Sequence, residues 1–316
     1  MLTGPRHLIE LSWGGCAVLF KVLVSGSSGL VGSALVSALR AGRHDVTRLV
    51  RGAITAPDQI PWNSAEPLAP EAVSGFDAVI HLAGESIATR WTDARKQCIV
   101  DSRVLATQHL AAALSKAQQR PRVFICASAI GYYGNRGDEI LREDSPSGEG
   151  FVGEVCRQWE AAAQSVATAG IRAVQIRTGI VLSAQGGALA KMLPPFRMGV
   201  AGNIGNGRQW MSWIDLRDEV GAIQHLLTKE SISGPVNLVS PNPVRNAEFT
   251  KALASVLHRP AIFPMPAFAA RLAFGQMADE LLLASQRVQP AKLTSSGYRF
   301  QYPDLRTTLG NILRKS

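Results

Sequence analysis

The chain has 316 residues, 46% of them hydrophobic and 18% charged, and 33 Lys and Arg outweigh 24 Asp and Glu for a formal net charge of +9. That length suits one large α/β domain, alone or with a small appendage, and no apolar stretch is long enough to span a bilayer. The arginines are scattered, with neither a basic run nor aromatic interleaving, which argues against a nucleic-acid partner and leaves a basic surface that can steer an anionic small molecule.

Residues 1–20 carry Arg6 and an apolar run from Trp13 to Phe20, but Glu10 interrupts the approach and no good cleavage site follows, so they read as a weakly ordered extension rather than an export signal. Lys21–Ser25 is a predicted buried strand, Leu30–Ala41 a helix ending at Gly42, and Val46–Val50 a second strand. A Pro-rich loop over 57–70 leads to a third strand at Ala78–Leu82. The pattern from Thr92 to Ala117 predicts one long amphipathic helix, stopped by Pro121 and followed by a strand at Val123–Ala127, a helix at Val152–Ala169 and a strand at Ala173–Arg177. Beyond about residue 180 glycines and prolines predict a loop-rich region. A helix at Asp218–Lys229, a strand at Val236–Val239, a helix at Ala247–Leu257 and short helical pieces from Pro260 complete the chain. The four cysteines, Cys16, Cys98, Cys126 and Cys156, lie far apart without metal-ligand spacing, so the expectation is a reduced, cytoplasmic protein without a metal site.

Alternating strands and helices imply a doubly wound parallel sheet, a Rossmann-type α/β fold, with its nucleotide-binding core at 21–180 and a smaller substrate-side part at 181–316 that shares some core elements. The sharpest motif is Gly26-Ser27-Ser28-Gly29-Leu30-Val31-Gly32, which follows a strand at once and opens a helix. Its first glycine permits a tight turn. Its second lets backbone N–H groups and the positive helix end meet a pyrophosphate, and its third lets helix pack on strand. Gly26, Ser28, Gly29, Leu30, Val31 and Gly32 are therefore candidate cofactor residues. The second strand ends in Arg51, with no acidic residue between Asp45 and Asp58, which favours the 2′-phosphate of NADP(H) over NAD(H), with a plain solvated arginine as the alternative. Leu82, Ala83 and Gly84 end the next strand with residues that let a dinucleotide pass. Glu85, which follows them, is placed to bind a substrate hydroxyl, to act as acid or base, or to cap the next segment.

VLVSGSSGLVGSAL, VIHLAGESI, ASAIGYYG and FVGEVCRQWEAA, in that order, resemble the extended short-chain dehydrogenases, closest to an epimerase-like subfamily with a small C-terminal domain of unknown function. The likeness runs over about 21–312 and marks 259–312 as that domain. It implies an NADP-type cofactor, a cleft completed by the second half, and hydride transfer on nucleotide sugars or related hydroxyl compounds; some subfamily members are linked instead to cell or organelle division. The wider family works with a Ser or Thr and a Tyr-x-x-x-Lys pair. Ser128 matches the first, but Val152 and Cys156 fall where the pair belongs, and neither does its work. Catalysis would then rest on Ser128, on Tyr132 or Tyr133 as proton donor, and on Glu85 or Cys156, unless those tyrosines are plain packing. The resemblance also puts Arg177 and Thr178 at a strand end facing the site, with Arg177 toward the cofactor. Gly186 and Gly187 lead into a helix start that could accept an anion of the substrate; the resemblance puts Gln209 and Trp213 at the substrate, Trp213 with a core aromatic as its alternative, and Asp215 where relatives often have His. Two functions follow from this reading. One is an NADP-dependent oxidoreductase or epimerase for a small hydroxylated or nucleotide-linked substrate, working as monomer or homodimer. The other is a non-catalytic NADP-binding regulator associated with cell division.

Overall fold

The structure, a computed structural model, describes residues 19–314, so the expected extension lies outside them up to residue 18. Seven strands form the main sheet: β1 (Lys21–Ser25), β2 (Asp45–Val50), β3 (Gln59–Pro61), β4 (Ala78–His81), β5 (Val123–Ala129), β6 (Arg172–Thr178) and β7 (Gly234–Leu238). Their order is β7-β6-β5-β4-β1-β2-β3, and every pairing is parallel. Such strands are covered on both faces, which is why Val22, Leu23 and Val24 are apolar in succession and fully buried.

One face is covered by α1 (Leu30–Ala41) and α6 (Leu216–Thr228), through Leu35, Val36 and Leu39 of the first and Ile223, Leu226 and Leu227 of the second. The other face holds α3 (Val104–Lys116) and α4 (Phe151–Gln164), with Leu110, Leu114, Trp159 and Ala163 against Phe124 and Val79. A further core gathers α5 (Gly187–Arg197), α7 (Asn246–Leu257) and the helix at Leu305–Leu313 around Trp213. Short two-stranded pairings tie this half back, notably Arg287–Val288 on Ile140–Leu141.

Three expectations change. The predicted long helix is two, α2 (Asp93–Asp101) and α3, broken at Ser102–Arg103. The stretch expected as a Pro-rich loop contributes the edge strand β3, whose Pro61 has no N–H to give a further neighbour. The helix start expected at Gly186–Gly187 is that of α5, which runs further than the expected loop-rich region allows and places Pro194 and Pro195 in its last turn. β7 shows that the sheet itself extends well past residue 180.

Candidate functional site

Gly26 has a left-handed backbone (φ +70), and a methyl group there would sit 2.6 Å from the carbonyl carbon of Leu82. At Gly32 it would lie 2.1 Å from the Gly26 oxygen, so turn, α1 and the end of β4 cross with no room for side chains. Gly29 is different: it precedes α1 with no side-chain cap, and an added methyl group would meet only the Gly26 oxygen, at 3.3 Å. The uncapped helix start opens on a cavity of about 580 Å³ lined by Gly26, Ser28, Gly29, Arg51, Leu82, Ala83, Gly84 and Glu85, among others. Leu30 instead packs toward Gly186 and Gly187 at the start of α5, which puts these expected substrate glycines against the cofactor turn. Val31 packs against the core beneath.

Of the two arginines on β2 and its end, Arg48 is taken by Asp58 through bonds of 2.6 and 2.8 Å. Arg51 stands on the cavity rim with 78% of its side chain exposed and donates to Glu85 at 2.7 Å. Arg95 lies 3.7 Å from the same carboxylate. The Arg51 hydrogen bond holds Glu85 below the usual carboxylate range, so the expected acid–base group is an ionised partner of arginines.

Behind the cavity, Ser128 donates to Glu160 of α4 at 2.7 Å, and Arg177 clamps the same carboxylate with two bonds of 2.8 Å. Arg177 also donates to Tyr133 Oη (2.9 Å), which lies within bonding reach of the Arg142 carbonyl (2.9 Å) and Asn237 Oδ1 (2.7 Å). Arg177 and Tyr133 are buried, and burial pushes the Tyr133 phenol up to about 12. Tyr133 takes the packing alternative, its hydroxyl engaged inside the protein, and Arg177 spends its guanidinium on Glu160, Tyr133 and the Glu143 carbonyl. Tyr132 stays half-buried, its ring stacked 3.5 Å below the Arg177 guanidinium carbon.

Val152 and Cys156 are both buried on α4. Burial, with the Glu160 carboxylate, pushes the Cys156 thiol up to about 12, so it holds its proton and offers no base. Val152 lines a second cavity of about 730 Å³ with Gly131, Arg136, Arg271 and Glu280. Glu280, from the C-terminal segment, accepts the first N–H groups of α4, Phe151 at 3.1 Å and Val152 at 2.8 Å.

Of the expected substrate residues, Trp213 takes its core-aromatic alternative and Gln209 is engaged by backbone carbonyls. Trp213 is fully buried in the third core with its indole N–H on the Asn242 carbonyl (3.0 Å). The Gln209 amide nitrogen bridges the carbonyls of Ile204 (3.0 Å) and Leu282 (3.1 Å). Asp215 caps α6 and pairs with Arg217. Thr178 donates to buried Glu219 at 2.8 Å.

Sequence reasoning missed Arg103. At the α2–α3 break its guanidinium packs against Gly84 and donates to the Glu85 carbonyl at 2.9 Å. The signal was there in Asp101-Ser102, poor helix residues between the polar stretch of α2 and the apolar face of α3. Among the described residues no helix is long and apolar enough to cross a membrane, and no group of three or more His, Cys, Asp or Glu is placed to hold a metal ion.

Residues 22–238 match the NAD dependent epimerase/dehydratase family and residues 265–312 a domain of unknown function, DUF1731. An epimerase family protein of Mycobacterium tuberculosis is 44% identical over 291 residues, covering 92% of this chain and 96% of that one. The crystal structure of the human epimerase family protein SDR39U1 (isoform 2) with NADPH superposes with a TM-score of 0.85 at 34% identity, over 93% of this chain and 99% of that one. A nucleoside-diphosphate sugar epimerase from Corynebacterium glutamicum gives a TM-score of 0.79 at 38% identity, over 94% of this chain and 59% of that one. With its glycine turn, its sheet order and matches of this extent, the chain belongs to the NAD dependent epimerase/dehydratase family.

Proposed function

We propose that this chain binds NADP(H) across the carboxyl ends of β1, β2 and β4 and uses it on a small hydroxylated or nucleotide-linked substrate held beside Val152. The carrying observation is the side-chain-free cradle of Gly26, Gly29 and Gly32 with the uncapped start of α1 open to the cavity. The NADPH in the human relative's crystal structure supports the same cofactor here. Gly26, Ser28 and Gly29 would hold the pyrophosphate with backbone N–H groups, Leu82 to Gly84 would flank the adenosine, and Arg51 would take the 2′-phosphate. When bound, the cofactor would supply hydride donation and acceptance. This chain's own residues orient and protonate: Ser128, fixed by Glu160, meets a reacting oxygen, and Tyr132 is the tyrosine left with partial exposure.

A second reading, a regulator that holds NADP(H) without turnover, is favoured by one observation, the buried Val152 and protonated Cys156 where the family's proton-transfer pair stands. NADPH titration followed by cofactor fluorescence, then a screen of carbonyl and sugar-nucleotide substrates for cofactor oxidation or isomerised product, separates the two. We expect saturable NADPH binding that Arg51→Glu weakens by roughly tenfold or more, through loss of a charge-assisted phosphate contact. Absence of NADPH binding overturns both readings, unchanged affinity in R51E overturns the 2′-phosphate assignment, and tight binding with no turnover across the panel selects the regulator.

A further inference from the structure

Most of the exposed large apolar side chains of the described residues gather on one surface. Phe263 donates its N–H to the Ala201 carbonyl at 3.1 Å and Met265 donates to the Asn203 carbonyl at 2.8 Å, so 198–203 and 260–265 run side by side. Met198 and Val200 stand exposed on the first stretch, Ile262 and Phe263 on the second. Pro266 then leads into a short helix, α8 (Ala267–Phe274). This helix reverses the usual surface pattern: it buries Ala270 and holds Phe268 and Leu272, four residues apart on its outer face, 71% and 78% exposed. An apolar surface of this extent marks a place where a partner takes it out of water.

The charges around it say which partner. Arg197 at the end of α5 and Arg259 beside Pro260 are exposed and make no ion pair among the described residues. Arg90 spends a donor on the Leu272 carbonyl at 3.3 Å, and Lys191, two turns before Met198, donates to the Ala88 carbonyl at 3.3 Å. Those acceptors are neutral and leave both charges uncancelled. Arg271 and Asp279 pair at 2.8 Å and cancel. The apolar surface is therefore ringed by net positive charge, in a chain whose formal net charge is +9. A second copy docked here would bring like charges together. Phe268 and Leu272, at those exposures, also project as knobs, which a bilayer accepts at any spacing and a protein must match with pockets.

We propose that this surface docks on an anionic lipid bilayer, with Phe268 and Leu272 entering the boundary between headgroups and acyl chains and Arg90, Arg197 and Arg259 facing the phosphates. Arg271, next to Leu272, lines the cavity beside Val152, so docking sets that cavity close to the bilayer. The test is co-sedimentation of the full chain with vesicles of phosphatidylcholine, with and without one-third phosphatidylglycerol. The protein should sediment with the anionic vesicles only, and about 1 M salt, which shortens screening to roughly 3 Å, should release most of it. Phe268→Ser combined with Leu272→Ser, which changes no charge, should weaken the binding by about tenfold or more. Arg197→Gln combined with Arg259→Gln should weaken it severalfold. Unchanged thermal unfolding of both variants, whose altered side chains are exposed, shows that they are folded. Failure to bind anionic vesicles, or undiminished binding by F268S/L272S, overturns the proposal. So does sedimentation equilibrium in which the unaltered protein self-associates and F268S/L272S is monomeric, since a second copy would then cover the surface.

Discussion

On the proposed assignment Arg51 would meet a 2′-phosphate already engaged, since Glu85 accepts from it across the cavity rim. The carboxylate orients the guanidinium, but it also lowers the net charge that the phosphate encounters. Glu85→Gln keeps an oxygen to accept that bond and removes the negative charge. It should tighten NADPH by about two- to fivefold, the range of one exposed charge interaction, and leave NADH unchanged. Titrations at fixed ionic strength decide it, and weaker NADPH binding by E85Q would mean that the carboxylate contributes by holding Arg51 in place. Cysteine reactivity tests the same scale elsewhere. Cys98 is exposed, whereas burial pushes the Cys126 thiol above its ordinary range and that of Cys156 up to about 12. Iodoacetamide should therefore label Cys98 in the folded protein and reach Cys126 and Cys156 only on unfolding, as peptide mass spectrometry would show. Rapid labelling of Cys156 would reopen it as a nucleophile or base.

At the scale of elements, the start of α4 depends on a residue from a distant part of the chain. Gly150 cannot cap it, and Glu280 does so by accepting two N–H groups while also interacting favourably with the helix dipole. Glu280→Ala should cost about 1–2 kcal/mol, as loss of an N-cap does, and should speed hydrogen exchange at Phe151 and Val152. Unchanged protection there would show that the cap is dispensable. Such a contact cannot be read from sequence, because its partners are far apart and share no pattern. What could be read was local: the glycine turn, the continuous apolar runs of β1, β4 and β5, and the helix that ends at Gly42. The break at Ser102–Arg103 went unread although α2 buries only Ile99 on its side of it, and the end of α5 was obscured by two prolines that its last turn tolerates. Tyr133 and Trp213 stayed open between site and packing, and Arg177 pointed to the cofactor, for one shared reason. Motif position tells which residues approach a strand end, but not whether their polar atoms are already taken by Glu160, Asn237 or Asn242.

For the molecule as a whole, two buried titratable groups oppose each other in setting how stability depends on pH. Glu219 on α6 is fully buried, accepts from Thr178 through one oxygen, and has no hydrogen-bond partner for the other among the described residues. Burial raises it from 4.5 to about 8. His81 at the end of β4 bonds Ser25 through Nδ1 at 2.6 Å, leaves Nε2 without a hydrogen-bond partner among the described residues, and is lowered by burial from 6.5 to about 3. Between 4.5 and 8 the folded state keeps a proton on Glu219 that the unfolded chain has released. That contribution is complete below 4.5 and is lost as pH rises through 8. His81 runs the other way: the folded state refuses a proton that the unfolded chain takes up below 6.5, so its contribution is complete above 6.5 and is lost as pH falls toward 3. The slopes of this pair cancel between 4.5 and 6.5, and from 6.5 to 8 that of Glu219 acts without its opponent. Glu219→Gln, which is neutral at every pH, removes the Glu219 slope over its whole range and leaves that of His81. Unfolding free energies of the two proteins from urea titrations should therefore converge at low pH. Above 4.5 the unaltered protein should lose ground to the variant, by up to one proton's slope per pH unit, until the difference levels off near 8. A difference independent of pH would mean that Glu219 is ionised in the folded protein, and that a charge sits unpaired beneath the sheet.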